Sequence, residues 1–149
     1  MSELNKILVR RAYEEVIGRG QLQVVDELAA SNYVLHDPDR PEDIHGAEGL
    51  KQYVQFVRSA FPDVQIRVDD MVAEGDMVAA RWSAAGTHRG EFNGIPPTGR
   101  RANVSGMTIF RFEHGKLAEE WQIGDNLGLL QQLGVLPALE PASGGRVPR

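Results

Sequence analysis

The residues best suited to acid–base chemistry lie in one short segment, EEWQIGDNLGLLQQLG at positions 119–134. Asp125 stands where a predicted strand gives way to a predicted helix. There it could act as a catalytic base or acid facing a cavity, or as the N-cap of that helix. Glu120 lies two residues before Gln122 and therefore on the same face of an extended strand. An apolar pocket would raise the pKa of this carboxyl group, whereas at a rim it would be solvated.

A further candidate for proton transfer is His36, which ends the predicted strand NYVLHDP. An imidazole ordinarily titrates near neutral pH, so His36 could move protons, or it could make a structural hydrogen bond in the following turn. His88, in GTHRG, is a candidate for anchoring a loop. No pair of histidine and carboxylate has the spacing of metal ligands, so we predict no metal site.

The composition limits the classes of function. The chain has 149 residues, a net charge of -5 and no cysteine. The lack of cysteine excludes thiol catalysis, disulfides and zinc–thiolate sites, and an acidic chain without a basic cluster is a poor binder of nucleic acid. No apolar segment approaches the roughly 20 residues that span a bilayer, and the N-terminal sequence is not typical of a signal peptide. We therefore predict a cytoplasmic protein with no nucleic-acid or membrane partner.

Helical patterns come first along the chain and strand patterns follow. Apolar spacing predicts helices over 4–17, 21–30 and about 50–61, with a short strand over 32–38. Long strands are predicted over 64–74, 77–88, 102–113 and 116–124, before a short helix over 125–133. This order predicts the α+β class, with a curved antiparallel sheet wrapped around the N-terminal helices and a cavity at the open end. We expect one domain over 1–137 and a flexible tail over 138–149.

Several segments resemble the SnoaL-like polyketide cyclases, a family of the nuclear transport factor 2-like superfamily. The most specific is GTHRGEFNGIPPTGRR at 86–101, and FRFEHGKL, GLLQQLG and RRAYEEVIGRGQLQVVDELAASNYVLHDP occur in the same order as in that family. The resemblance runs from about residue 5 to residue 137 and implies a cone-shaped α+β barrel. It also implies an enzyme without cofactor or metal, in which an aspartate on the last strand removes a proton from carbon and an intramolecular aldol step closes a ring.

Three positions depart from the cyclase pattern that this resemblance implies. The aspartate's position falls on Gln122, and the positions of a supporting histidine and glutamine fall on Thr108 and Gly106. A glutamine side chain has no protonation equilibrium near neutral pH, so Gln122 can orient a substrate or a water but cannot be the base. We therefore assign Asp125 as the candidate base, with Gln122 and His36 as orienting groups.

Other polar and aromatic side chains are candidates for binding the substrate. Arg81 and Trp82 are neighbours on a predicted strand, so one faces the cavity and the other the outer surface; an inward Arg81 would bind a carboxylate or phenolate. Arg81 with Asp125 and Glu120 is also the nearest match to the Asp-Arg-Asp set with which proteins of related fold hydrolyse epoxides. The predicted substrate-binding residues are Glu120, Thr108, Arg81, Trp82, Tyr53, Phe56, Phe110 and Trp121. Most of the aromatic ones fit a plain hydrophobic core as well.

The last strand also predicts how the sheet is covered. Its apolar residues Leu117, Trp121 and Ile123 alternate with the positions that should face the cavity. Burial of both faces of the sheet predicts a homodimer through the outer face.

The predicted function is that of a cofactor-independent SnoaL-like enzyme. It would act on a small apolar, oxygenated substrate, polyketide-like or terpenoid-like, by general acid–base chemistry: cyclisation, isomerisation, dehydration or hydration. The alternative is a binding module of the same fold that holds a small ligand or a partner protein without chemistry. The missing acid at position 122 favours that alternative.

Overall fold

The computed structural model describes residues 2–137, and the tail predicted to be flexible, 138–149, lies outside the described residues. The helices are α1 (Ser2–Arg11), which continues as a π-helical segment (Ala12–Gly18), α2 (Gln23–Leu28), α3 (Gly46–Ala60) and α4 (Asn126–Gln132). Within residues 2–137, no helix is both long enough and apolar enough to cross a membrane.

The strands of the described chain form one six-stranded sheet. They are β1 (Ala29–His36), β2 (Ile44–His45), β3 (Gln65–Glu74), β4 (Met77–Thr87), β5 (Arg101–Glu113) and β6 (Lys116–Gly124), in the spatial order β2-β1-β6-β5-β4-β3. Strands β3 to β6 form an antiparallel meander, β1 pairs with β6 in parallel, and β2 pairs antiparallel with β1. The predicted α+β class, with a curved sheet around N-terminal helices, is confirmed.

Helix α3 shows how the sequence builds the layer inside the sheet. Leu50, Tyr53, Val54 and Val57 recur at helical spacing and give the helix one apolar face. The helix ends at Ala60 because a proline at position 62 disfavours helical geometry in the residue before it. Phe61, the residue before the proline, packs against residues of β5 and α4.

The main hydrophobic core lies between the concave face of the sheet and α1 with its π-helical continuation. Val9 and Tyr13 from the helical layer pack against Val78, Phe110 and Phe112 from the sheet. The rings of Tyr13 and Phe110 meet edge to face, with centroids 5.7 Å apart. A second cluster lies towards the other end of the sheet: Ala60, Phe61, Val64, Ala102, Leu129 and Leu133.

Three local features differ from the sequence prediction. The helix predicted over 4–17 changes to π-helical geometry at Ala12. Residues 39–46, which lie between the predicted strand and the predicted third helix, contain the short strand β2. Strand β1 lies parallel to β6, in register at His36 and Trp121, rather than in an all-antiparallel sheet. Pairing between strands more than 80 residues apart depends on the whole fold, so local periodicity carries no signal for it.

Candidate active site

Strand β6 carries the candidate acid and amide on the inner face of the sheet. Glu120 is buried and Gln122 half-buried, whereas Trp121 and Ile123 are exposed on the outer face. The predicted inward orientation of Glu120 and Gln122 is therefore confirmed, whereas Leu117, predicted to face outward with Trp121, belongs to the inner core because the register shifts at this end of β6. In the sheet, Glu120 stands opposite Leu35 of β1 and a core phenylalanine of β5, both of which are buried.

Glu120 is a carboxyl group deep inside the molecule, 7% exposed. The hydroxyl of Tyr33 donates a hydrogen bond to its Oε2 at 2.5 Å. Burial raises the pKa of Glu120 from 4.5 to about 7, against the smaller, opposing effect of the hydrogen bond from Tyr33. A carboxyl group in this range can both accept and release a proton near neutral pH.

An inner pocket of about 30 Å³ adjoins Glu120. Apolar side chains from the π-helical segment, α3 and the sheet form most of its wall, and Tyr13, Tyr53 and Gln122 are polar members of the lining. The Tyr13 hydroxyl is buried and has no hydrogen-bond partner among the described residues; burial, followed by the charge of Glu120, raises its pKa. A space of this size takes one or two water molecules or the edge of a ligand.

Gln122 connects this inner pocket to the mouth of the cavity. Its Nε2 donates to Oδ2 of Asp37 and to the hydroxyl of Tyr53, both at 3.0 Å. The guanidinium group of Arg40 lies over the Tyr53 ring, 5.3 Å from its centroid. The side chains of Gln122 and Tyr53 thus form the boundary between the deep part of the cavity and its entrance.

A wider chamber of about 180 Å³ opens on the other side of Tyr53. The rings of Phe56 and Phe61 each pack near that of Phe92, at centroid distances of 5.6 and 5.7 Å, and Trp82 forms a further aromatic wall. Its polar lining residues are Asp37, Asp39, Arg40, Asn93 and Asn126. The chamber therefore suits a flat apolar molecule with oxygen substituents at its edge.

The loop over 88–100 contributes Phe92 to this chamber and is held at both ends. The backbone N–H of Thr98 donates to Nδ1 of His88 at 3.2 Å, and His88 is fully buried, which confirms its predicted anchoring role. Gly90 permits a close approach to α3, since a Cβ there would lie 2.1 Å from the carbonyl oxygen of Ser59.

Comparison with known proteins decides the family. The model of the SnoaL-like polyketide cyclase family matches residues 7–133. The chain belongs to this family. It is 31% identical over 118 residues to the nogalonic acid methyl ester cyclase of Streptomyces nogalater, which covers 77% of this chain and 87% of that protein.

Solved structures agree with this family assignment. IdmH of Streptomyces antibioticus, proposed to be a polyketide cyclase, is 37% identical with a TM-score of 0.76, and the match covers 87% of this chain and 98% of IdmH. AclR of Streptomyces galilaeus, proposed to be a hydroxylase, is 29% identical with a TM-score of 0.82, and the match covers 94% of this chain and 87% of AclR.

One indole ring connects the two positions that the resemblance assigns to the family's supporting residues. Nε1 of Trp82 donates to Oγ1 of the buried Thr108 at 3.0 Å. A Cβ at Gly106 would lie 2.2 Å from the Trp82 ring. Gly106 therefore leaves room for the Trp82 ring and Thr108 accepts its indole N–H, while the substrate contact predicted for Thr108 stays a prediction.

Asp125, which the sequence predicts as the base, is the N-cap of α4. Its exposed side chain accepts a hydrogen bond from the backbone N–H of Gly128 at 2.9 Å. It lines neither the chamber nor the inner pocket of the described structure. The geometry favours the capping alternative, and Glu120 is the carboxyl group that faces the inner pocket.

His36 and Trp121, which the sequence predicts to contact the substrate, both lie on the outer face of the sheet, away from the chamber and the inner pocket. Their rings stack with centroids 5.6 Å apart. The two ring nitrogens of His36 lie 2.6 Å from Glu119 Oε2 and 3.0 Å from Asp43 Oδ2, and the bond to Glu119 is the main cause of a raised His36 pKa. Tyr33, three positions earlier on β1, points inward, so alternation turns His36 outward.

Arg81, which the sequence predicts to bind the substrate, also lies on the outer face of the sheet. Trp82 takes the inward position on β4, and the exposed Arg81 forms ion pairs with Asp70 and, at 3.7 Å, with Asp69 on the neighbouring strand. Arg81 and Glu120 therefore lie on opposite faces of the sheet, and the Asp-Arg-Asp-like set is not formed.

Other predicted lining residues do reach the cavity. Tyr53, Phe56 and Trp82 line the chamber, and the buried Phe110 lines the inner pocket. Sequence reasoning missed Tyr33, Tyr13 and Asp37 as members of the site. The only local signal was the alternation in NYVLH, which places Tyr33 and Leu35 on one face. The absence of a metal or cofactor and the cytoplasmic location stay predictions.

Proposed function

We propose that the protein is a cofactor-independent enzyme that transfers a proton at carbon in a small, apolar, oxygenated polyketide-like substrate and thereby drives ring closure. The observation that carries this proposal is Glu120, a buried carboxyl group with a pKa of about 7 in the inner pocket, which shares Tyr53 with the aromatic chamber. General bases work best when their pKa lies near the working pH. The membership of a cyclase family supports the reaction class.

The proposed reaction is an intramolecular aldol addition. The substrate lies in the chamber, and its C–H edge next to a carbonyl enters the inner pocket. The Glu120 carboxylate takes the proton, so that a C–H bond breaks, an O–H bond forms and the substrate becomes an enolate. The enolate carbon attacks a second carbonyl of the same molecule, and the resulting alkoxide takes the proton back from Glu120. The carboxylate is regenerated, and no oxidant, metal or cofactor takes part.

Tyr33 has a supporting role in this proposal. Its hydroxyl donates to Glu120 and thereby favours the ionised carboxylate that the reaction requires. Loss of that donor should raise the pKa of Glu120 further. The proposal therefore predicts a pH dependence of kcat/KM that changes when Tyr33 is replaced.

The test uses nogalonic acid methyl ester, on which a relative of this chain acts according to its name. Turnover of the purified protein, measured from pH 5 to 9, should give a kcat/KM that rises through about pH 7 and then levels, since the free enzyme must be ionised at Glu120. Glu120→Gln should lose at least about a hundredfold. Tyr33→Phe should move the rising limb to higher pH, and Glu74→Gln, at an exposed hairpin position, is the matched control. Full activity of Glu120→Gln, or a profile without this ionisation, would sink the proposal.

The second candidate is a binding module of the same fold. It is favoured by Gln122, whose amide is engaged with Asp37 and Tyr53 where the resemblance places an acid. Under this alternative a flat polycyclic ligand stabilises the protein against heat, while neither nogalonic acid methyl ester nor its analogues are converted at any pH.

We also propose that two copies pair through the outer face of the sheet. Met107 lies opposite Ile123 and Ile109 opposite Trp121 in the β5–β6 ladder, and all four side chains are exposed. Such a contiguous apolar surface matches the self-complementary patch of a two-fold dimer. Light scattering coupled to gel filtration should give twice the chain mass, and a monomer at micromolar concentration would refute this pairing.

A further inference from the structure

Both hydrogens of the Gln122 side-chain amide are donated in hydrogen bonds. One goes to Oδ2 of Asp37 and the other to the hydroxyl oxygen of Tyr53, each at 3.0 Å. Asp37 fixes which way round the amide lies, because an ionised carboxylate only accepts hydrogen bonds and the amide nitrogen must therefore face it. The amide cannot turn over without placing its oxygen against a carboxylate oxygen.

This arrangement has a consequence for Tyr53. Its hydroxyl oxygen already accepts from Gln122, so its own hydrogen must point elsewhere. Within residues 2–137 the hydroxyl takes part in no other hydrogen bond. Tyr53 lines both the chamber and the inner pocket, which places this free donor at the junction between them.

The surroundings keep Tyr53 a donor. Burial raises the pKa of its phenol above the ordinary value of 10. The hydrogen bond from Gln122 and the charge of Arg40 lower it by less, and the charges of Asp37 and Glu120 act in the same direction as burial. The hydroxyl is therefore neutral throughout the range in which Glu120 changes its protonation state. A neutral donor of fixed direction that faces an apolar cavity is the kind of group that stabilises developing negative charge on oxygen.

We infer that Tyr53 donates a hydrogen bond to the carbonyl oxygen of the substrate next to the carbon that loses its proton, and that Gln122 is the positioning residue that directs this donor. The ligand class is a flat ketone or ester with an acidic C–H beside the carbonyl, its oxygen at Tyr53 and its C–H edge in the inner pocket. The inference rests on the proposed function for the reaction but not for the binding mode. In this inference Gln122 positions the Tyr53 hydroxyl, whereas an acid at position 122 would itself transfer the proton.

The hydrogen bond acts on the first half of the reaction. When the C–H bond breaks, its electron pair moves into the new C=C bond and the carbonyl becomes an enolate oxygen. Tyr53 stabilises that charge without losing its proton, and the base keeps the proton it has taken. Because the charge exists only after proton removal, the interaction should lower the barrier more than it strengthens substrate binding.

The kinetic test compares three variants on nogalonic acid methyl ester. Tyr53→Phe should lower kcat by about a hundredfold or more, while KM changes much less. Gln122→Leu should lower kcat by a smaller factor, because the donor remains but is no longer directed. The double variant should be no slower than Tyr53→Phe alone, since the two residues act as one unit. Additive losses, or a change confined to KM, would overturn the inference.

A second readout does not depend on turnover. 9-Fluorenone labelled with ¹³C at its carbonyl is bound to each variant, and isotope-edited infrared spectroscopy records the C=O stretching band. The band should lie at lower wavenumber in the wild type than in Tyr53→Phe, with Gln122→Leu between them. Identical bands would refute the hydrogen bond. A wild type that does not bind fluorenone would refute the assignment too, since the site would not take flat aromatic ketones.

The two readouts separate this inference from the proposed function. A wild-type protein without turnover, whose carbonyl band still shifts with Tyr53, would contradict the proposed reaction and support the binding mode. A wild-type protein with the expected pH profile, whose Tyr53→Phe variant keeps full kcat, would contradict only the role of Tyr53. Each variant must first show a cooperative thermal unfolding transition, so that a loss of activity or of the band shift is not caused by misfolding.

Discussion

Replacing Glu120 with glutamine should make the protein more stable at high pH. The pKa of this carboxyl group is about 7 in the folded chain and near 4.5 when exposed, so the native state binds its proton more tightly than the unfolded state. Stability that comes from this group is fully present below about pH 4.5 and is lost as the pH rises through about 7. The loss should reach about 3 kcal/mol by pH 8, because each pKa unit corresponds to about 1.4 kcal/mol.

Glutamine does not ionise, and its side-chain oxygen can still accept the hydrogen bond from Tyr33. The difference in unfolding free energy between Glu120→Gln and the wild type should therefore be small near pH 4.5 and grow to about 3 kcal/mol in favour of the variant at pH 8. In thermal unfolding this corresponds to roughly 6–12 °C for a domain of this size. The variant should be inactive at the same time.

Urea unfolding at pH values from 4.5 to 8.5, at one protein concentration, measures this difference directly. Taking the difference between variant and wild type removes the contributions of all other titrating groups. Glu74→Gln, at an exposed position, controls for the loss of one carboxyl group. A difference that does not change with pH would show that Glu120 is not held neutral by burial, and the reasoning would fail.

Three other changes test separate parts of the structure. Thr108→Val should destabilise the protein by about 1–3 kcal/mol in urea unfolding, because the buried indole N–H of Trp82 loses its acceptor, whereas Thr108→Ser should keep most of the stability. Asp125→Asn should retain both turnover and stability, since asparagine caps helices as well as aspartate; a loss of tenfold or more in kcat would restore Asp125 as a catalytic residue. Ile123→Arg should convert the proposed dimer to a monomer in light scattering with little loss of secondary structure, and an unchanged dimer would place the interface elsewhere.

Local patterns in the sequence were sufficient for most of the elements and for one face of the site. The change from helical to strand spacing near residue 64 gave the order of elements. On β6 the family resemblance placed Gln122 inward, and strand alternation then placed Glu120 on the same face. The N-cap alternative for Asp125 followed from residue type alone. These features depend on neighbours within a few positions, which a single sequence records.

The contacts that surround Glu120 could not be predicted from local sequence patterns. Tyr33 and Glu120 are 87 residues apart, and they meet only because β1 lies parallel to β6. The burial that raises the pKa of Glu120 likewise depends on the helical layer as a whole. The outward position of Arg81 is easier to predict from the sequence, because a tryptophan beside an arginine is the more readily buried of the two.

Exchange of the acidic C–H of nogalonic acid methyl ester for deuterium in D₂O tests the central claim most directly, because it reports proton removal without requiring ring closure. Mass spectrometry would follow the exchange with wild type, Glu120→Gln and Asp125→Asn at pH 8. The account predicts exchange by the wild type and by Asp125→Asn, and none above background by Glu120→Gln. Exchange by Glu120→Gln at the wild-type rate would contradict the assignment of Glu120 as the base.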